Sequence, residues 1–204
     1  MNGNTKSIGE DLAFLRALAE GGDGNYRGLA EGYLAAGIIY GGQMLFHAAQ
    51  GLGLAPQSGA LALAGGIVPT IVFAVVLTFI VSRNKGAAQG GVVAKSVGAM
   101  FAAVGLANLA LIAVIGSVAL REHSLTIWLI YPCTVFVLQG AAWLAAFMLR
   151  RRVWLGLVAA GWFATGVAMA VSIEFMPGFI LFAALGLFGC MALPGYLMLR
   201  QTAA

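Results

Sequence analysis

The sequence predicts an all-α membrane protein: a polytopic bundle of six transmembrane helices with a short amphipathic interfacial helix in front of it. Three observations carry that reading. Of 204 residues, 61% are hydrophobic and 9% charged, whereas a soluble domain carries about 25% charged residues. The mean hydropathy is +0.96. Six apolar runs recur, each near the ~20 residues a helix needs to cross ~30 Å of hydrocarbon. A backbone in lipid must satisfy its own hydrogen bonds, and the alternation of barrel strands is absent, so the runs are read as helices.

The elements follow in order. Ser7 with Glu10 forms a capping box, and Gly21–Gly22 supplies a stop. Between them Ile8, Leu12, Leu15 and Ala19 share a helical face opposite Glu10, Arg16 and Glu20. A helix over 8–20 is therefore expected, too short and too charged to span, lying at the membrane surface within an N-terminal segment 1–28. That segment lacks the basic start and apolar core of a cleavable signal, so the first apolar run is expected to act as the insertion signal. The spans are placed at 33–54, 59–82, 92–119, 126–149, 153–173 and 178–199, within a transmembrane domain over 29–200 and before a tail at 201–204. The linker RNKGAAQGG (83–91) lacks the GxxxxGK[ST] order of a phosphate loop and reads as a flexible connection.

Orientation follows from the basic residues. Lys6, Arg16, Arg27, Arg83, Lys85, Arg150, Arg151, Arg152 and Arg200 all fall on one side if six helices alternate, and Lys95 is close enough to that side to snorkel. The other side holds Arg121 beside Glu122. Both termini are expected to be cytoplasmic, in a bacterial inner membrane. The net charge of +4 is thus a matter of topology. Nucleic acid is not an expected partner, because no basic patch with interleaved aromatics tracks a phosphate backbone.

The first span, LAAGIIYGGQMLFHAAQ (34–50), carries Tyr40, Gln43, His47 and Gln50 at spacings of three, four and three, which align on one side of a helix. Thr70, Asn108 and Gln139 fall near the centres of their own spans. Tyr40, Gln43, His47, Asn108 and Gln139 are the candidate intramembrane polar layer: uncharged groups at one depth either line a pathway or hydrogen-bond helices together. His47 is the one ionisable side chain well inside a span, and no carboxylate lies at its depth. Charging it in hydrocarbon would be costly.

Other chemistries lack their parts. No cofactor or metal is expected: bis-histidine haem ligation needs a second intramembrane imidazole, and His123 lies in a loop. Cys133 and Cys190 sit in apolar runs and read as free thiols rather than a metal pair or a disulfide. There is no GxSxG elbow, no Ser or Cys tied by spacing to His47, no rhomboid-type signature and no retinal-type lysine, so an enzyme is not expected.

Small residues four apart, Gly37/Gly41, Ala103/Ala107, Ala141/Ala145 and Gly186/Cys190, predict close helix approach within a protomer or in a homo-oligomer. Pro69, Pro132 and Pro194 interrupt the second, fourth and sixth spans. FAAVGL (101–106) resembles FAALGL (182–187) and raises an inverted three-plus-three repeat. The leading functional expectation is translocation of a small solute or ion past the polar layer. The alternative is an accessory, assembly or sensor subunit acting through helix packing and a cytoplasmic contact. The bilayer is the expected surrounding in either case.

Overall fold

The computed structural model describes residues 27–56, 58–84 and 92–203. The expected helix over 8–20 and most of the linker at 83–91 lie outside them. Every described element is helical: α1 (Arg27–Gly51), α2 (Gly59–Arg83), α3 (Val92–Arg121), α4 (Leu125–Arg150), α5 (Val153–Val171), α6 (Met176–Gly186), a π-helical stretch (Leu187–Ala192) and α7 (Leu193–Ala203). The last three form one continuous span, Met176–Gln201.

Local chemistry accounts for the ends. Ser58 and Ser124 cap α2 and α4, their hydroxyls accepting from the Leu61 and Ile127 amides at 3.2 and 3.3 Å. Gly53, at φ 71°, turns the chain between α1 and α2. The α4–α5 hairpin closes on Arg151 in the left-handed region at φ 54°. Pro69 and Pro132 lie inside unbroken helices, whereas Pro194 follows the π-helical stretch. There the Leu193 amide donates five residues back to Phe188 O. Proline has no N–H to offer the residue-190 carbonyl and its ring crowds that carbonyl in an α-turn; the wider π-turn relieves both.

Among the described residues five spans are long and apolar enough to cross a membrane: α2, the 95–121 part of α3, α4, α5 and Met176–Gln201. Helix α1, at 25 residues, is long enough but stands outside that group. Its polar side chains account for the difference, and protein surrounds much of it. It also begins at Arg27 rather than near residue 33. An Arg27–Glu31 pair at 3.0 Å supports the extra turns, which hydropathy cannot register.

The core lies among α1, α4, α5 and the sixth span. Helix α1 packs along the sixth span, α5 lies between that span and α4, and α4 also carries α3; α2 docks on α1. Trp143, Trp162 and Met169 are its largest fully buried side chains. Small residues set the α1 crossing. A Cβ on Gly37 would stand 2.7 Å from Ala192 Cα and Cβ, and one on Gly195 2.5 Å from Leu34 N. Backbones touch there, which only glycine permits. Among the described residues α2 and α3 make no extensive contact with each other, whereas α5 and α6 pack closely, so the two halves of the chain do not repeat one arrangement.

Candidate functional site

The polar residues of α1 separate into three groups. At the basic end, half-buried Glu31 holds the start of α1 to the end of α2. Arg27 and Arg83 both pair with it, and the Asn84 amide donates to Glu31 Oε2 at 3.4 Å and to Ile80 O at 2.8 Å.

Two residues further in, buried Tyr33 links α1 to α4. Its hydroxyl donates to Gln139 Oε1 and accepts from Trp143 Nε1–H, the latter at 3.0 Å. Its ring meets Phe101 and Trp143 edge-on, each with centroids 5.3 Å apart. Phe101 and Trp143 touch in turn at 5.5 Å, and Trp143 meets Trp154 at 5.7 Å. Gln139 is thus buried and taken. This knot ties α1, α3 and α4 together, with the Tyr33 hydroxyl both donating and accepting.

The third group is the stripe Tyr40, Gln43, His47, Gln50. Tyr40 lies seven residues past Tyr33, two turns and about 10 Å along the same face. It stacks obliquely on Phe73 at 5.4 Å and sits beside Thr70 of α2 and Tyr131 of α4. Asn108 likewise lies seven residues past Phe101 on α3. Since Tyr33 and Phe101 are in contact and both helices run the same way, Tyr40 and Asn108 are level with each other. Asn108 Oδ1 is buried with no hydrogen-bond partner in the described residues.

His47 faces α2: a Cβ on Gly65 would lie 3.2 Å from His47 Cε1 and 2.8 Å from Phe46 Cε1. Gln50 Nε2 donates to Pro56 O at 3.2 Å, and Gln50 Oε1 lies 3.2 Å from His47 Nδ1. Gln43 lies between Tyr40 and His47, half-buried, with no hydrogen-bond partner among the described residues.

The five candidates therefore do not share one level. Gln139 joins Tyr33, ten residues or about 15 Å below Gln43. The cause is the early start of α1: its midpoint is Ile39, which moves Gln43 and His47 outward. Tyr40 sits between Thr70 and Phe73 of α2 and Tyr131 of α4, and Gln43 and His47 follow it one and two turns toward the C-terminal end of α1. Tyr33, Trp143 and Tyr131 were not among the sequence candidates. Tyr33 carried a signal, since Tyr33 and Gly37 continue the helical spacing two turns back from Tyr40.

Elsewhere, Trp162 Nε1 is a second buried polar atom with no hydrogen-bond partner among the described residues. An open groove along the outer side of α2 is lined by Ala74, Val75, Thr78, Phe79 and Ser82, but Thr78 and Ser82 donate to Ala74 O and Phe79 O, both at 2.8 Å. Among the described residues no three His, Cys, Asp or Glu side chains gather to hold a metal. Cys133 and Cys190 are free thiols. No protein-family model, curated protein sequence or solved structure matches the chain, so its chemistry rests on these contacts alone.

Proposed function

We propose that the chain is an accessory or sensor subunit of the bacterial inner membrane, both termini cytoplasmic, that works by associating with a further copy of itself or another helical chain through α2 and α3. The observation that supports this is an imbalance of burial. In the most apolar stretch of α2 no residue is buried and in α3 6% are, against 39%, 28% and 39% in α4, α5 and the sixth span. The four inner helices account for nearly all internal packing, and the two outer ones present most of their surface outward. Tight pairing of Glu31, Tyr33, Gln139 and Trp143 fits a rigid platform better than a moving gate.

The test is mass measurement in lipid nanodiscs, with single cysteines at Val75 and Leu109 in a background lacking Cys133 and Cys190. Dimers or larger species, crosslinked at those positions, are the expected result. A strictly monomeric protein that stays uncrosslinked at high density in native membranes would refute association.

Translocation is the second reading, supported by Gln43 without a hydrogen-bond partner among the described residues and by the unpartnered Asn108 Oδ1. It predicts solute or proton flux in proteoliposomes that falls in Gln43→Leu and Asn108→Leu. Equal flux in wild type and both variants would remove it.

A further inference from the structure

We infer that the open groove along the outer side of α2 seats the acyl chain of an anionic phospholipid, whose phosphate is held by Arg83 at the groove's basic end. The site goes beyond the association reading and stands without it, since lipid binding is read on the single chain.

Three observations converge. The first is the surface of the groove, lined by Ala74, Val75, Thr78, Phe79 and Ser82. Ala74, Thr78 and Ser82 fall four apart with Val75 and Phe79 beside them, so the groove runs along one helical face. Both of its hydroxyls are engaged with the helix's own carbonyls: Thr78 donates to Ala74 O and Ser82 to Phe79 O, each at 2.8 Å. An occupant therefore meets methyl and ring surface, with Val75 64% and Phe79 62% exposed. A shallow apolar trough suits a flexible hydrocarbon chain, whereas a polar solute would give up water there without a hydrogen bond in return.

The second is depth. Helix α2 ends at Arg83, and Ala74 lies nine residues back, about 13 Å along the axis. Half of a ~30 Å hydrocarbon core is about 15 Å. With Arg83 at the interface, the groove spans a single leaflet, the depth over which one phospholipid lays its chain.

The third is the cation at the mouth. Arg83 Cζ stands 5.9 Å from the centroid of the Phe79 ring, so the ring that lines the groove also seats the guanidinium. Half-exposed Arg83 meets Glu31 through Nη2. Its Nε and Nη1 have no hydrogen-bond partner among the described residues. Arg27 shares Glu31 Oε1, which therefore offsets Arg83 only in part. A phosphate takes two parallel N–H bonds from a guanidinium. A phosphoglycerol head brings that negative charge alone, while phosphocholine sets its own cation beside the arginine. Tail, depth and charge are met together by an anionic phospholipid of the leaflet at the basic end.

The test is native mass spectrometry of the detergent-purified chain, titrated with phosphatidylglycerol or phosphatidylcholine of identical tails and read on the monomer peak. Phosphatidylglycerol is expected to bind about fivefold more tightly, the worth of one arginine near a membrane surface. In Arg83→Gln the ratio should fall toward one, and in Arg121→Gln, at the other end of the bundle, it should be unchanged. A phosphatidylglycerol with a mid-chain diazirine then maps the tail on the unaltered protein in phosphatidylcholine nanodiscs, so a misfolded variant leaves the test intact. Adducts should concentrate on residues 74–82 and decline when Ala74→Phe fills the deep end. Equal binding of the two lipids overturns the inference. So does a loss in Arg121→Gln as large as that in Arg83→Gln, which is general charge attraction, or labelling spread evenly over α2, α3 and α5, which is annular lipid. Crosslinking at Val75 with no adducts at 74–82 would give the groove to a second copy of the chain instead.

Discussion

Replacing Tyr33 with phenylalanine removes one oxygen and separates packing from site. The ring contacts to Phe101 and Trp143 survive, but Trp143 Nε1–H loses its acceptor and Gln139 Oε1 its donor. Tyr33, Gln139 and Trp143 are 6%, 9% and 1% exposed, so water cannot replace the lost hydroxyl. Intramembrane hydrogen bonds average ~0.6 kcal/mol and reach ~1.7, while a buried group left unsatisfied costs about 1–3 kcal/mol. Two such losses place Tyr33→Phe at about 1.5–3 kcal/mol. Tyr40→Phe removes a hydroxyl from a partly exposed side chain and should cost under ~0.6 kcal/mol. Unfolding in mixed micelles against the mole fraction of SDS, followed by tryptophan fluorescence, measures both. The double variant Tyr33→Phe/Gln139→Leu should be less destabilised than the sum of the singles, because both partners leave together. A Tyr33→Phe protein within 0.5 kcal/mol of wild type (about a factor of two in the equilibrium constant), or Tyr40→Phe equally damaging, would refute the reasoning.

Three further predictions use the same unfolding measurement. Gly37→Ala drives a methyl group against the Ala192 backbone and should destabilise by about 1–3 kcal/mol; Gly42→Ala, with nothing within 4 Å, is its neutral control. Glu31→Gln releases two arginines from the base of α1 and α2; a loss of at most ~1 kcal/mol is expected, smaller at high salt, because both arginines are half-exposed or more. Pro194→Ala restores an amide to the residue-190 carbonyl, and the π-turn should tighten to α. Spin labels at Leu185 and Leu197 would then report a relative rotation of up to about 100°, one residue of a 3.6-residue turn; unchanged distances would show that Pro194 does not set the π-turn.

How far the sequence reaches depends on whether one residue or a pairing decides the outcome. Hydropathy located the bounds of α2 to α5 to within about two residues, since an apolar run in lipid has one backbone solution. It misplaced the start of α1, where Arg27, Glu31 and Tyr33 are polar yet helical. That error carried into the site, because depth along a helix is counted from its end. Gly37 and Gly41 announced a close approach, but nothing in them names the sixth span as the partner. Trp143 and Trp154 stand in unbroken apolar runs without periodic contrast, so their aromatic cluster was illegible. Pro194 was readable as an interruption; its widened turn depends on what packs against it.

The two sides of α1 explain each other. Against the sixth span it meets backbone: Gly37 fits Ala192, Gly41 fits the Phe188 ring, and Gly195 fits Leu34 and the Ala30 carbonyl. The π-turn places Phe188 and Ala192 within that contact, and Pro194 holds the turn. A helix gripped this closely cannot rotate, since any rotation would drive a side chain into the neighbouring backbone. Tyr40 and His47 are therefore fixed toward α2, whose most apolar stretch buries no residue. Stabilising polar side chains by turning them inward would have been the simpler solution, and Tyr33 with Gln139 and Trp143 shows that the bundle can accomplish it. The chain does so at one level and leaves it undone two turns away. Packing accounts for the first arrangement, whereas the second leaves Gln43 half-buried without a hydrogen-bond partner among the described residues.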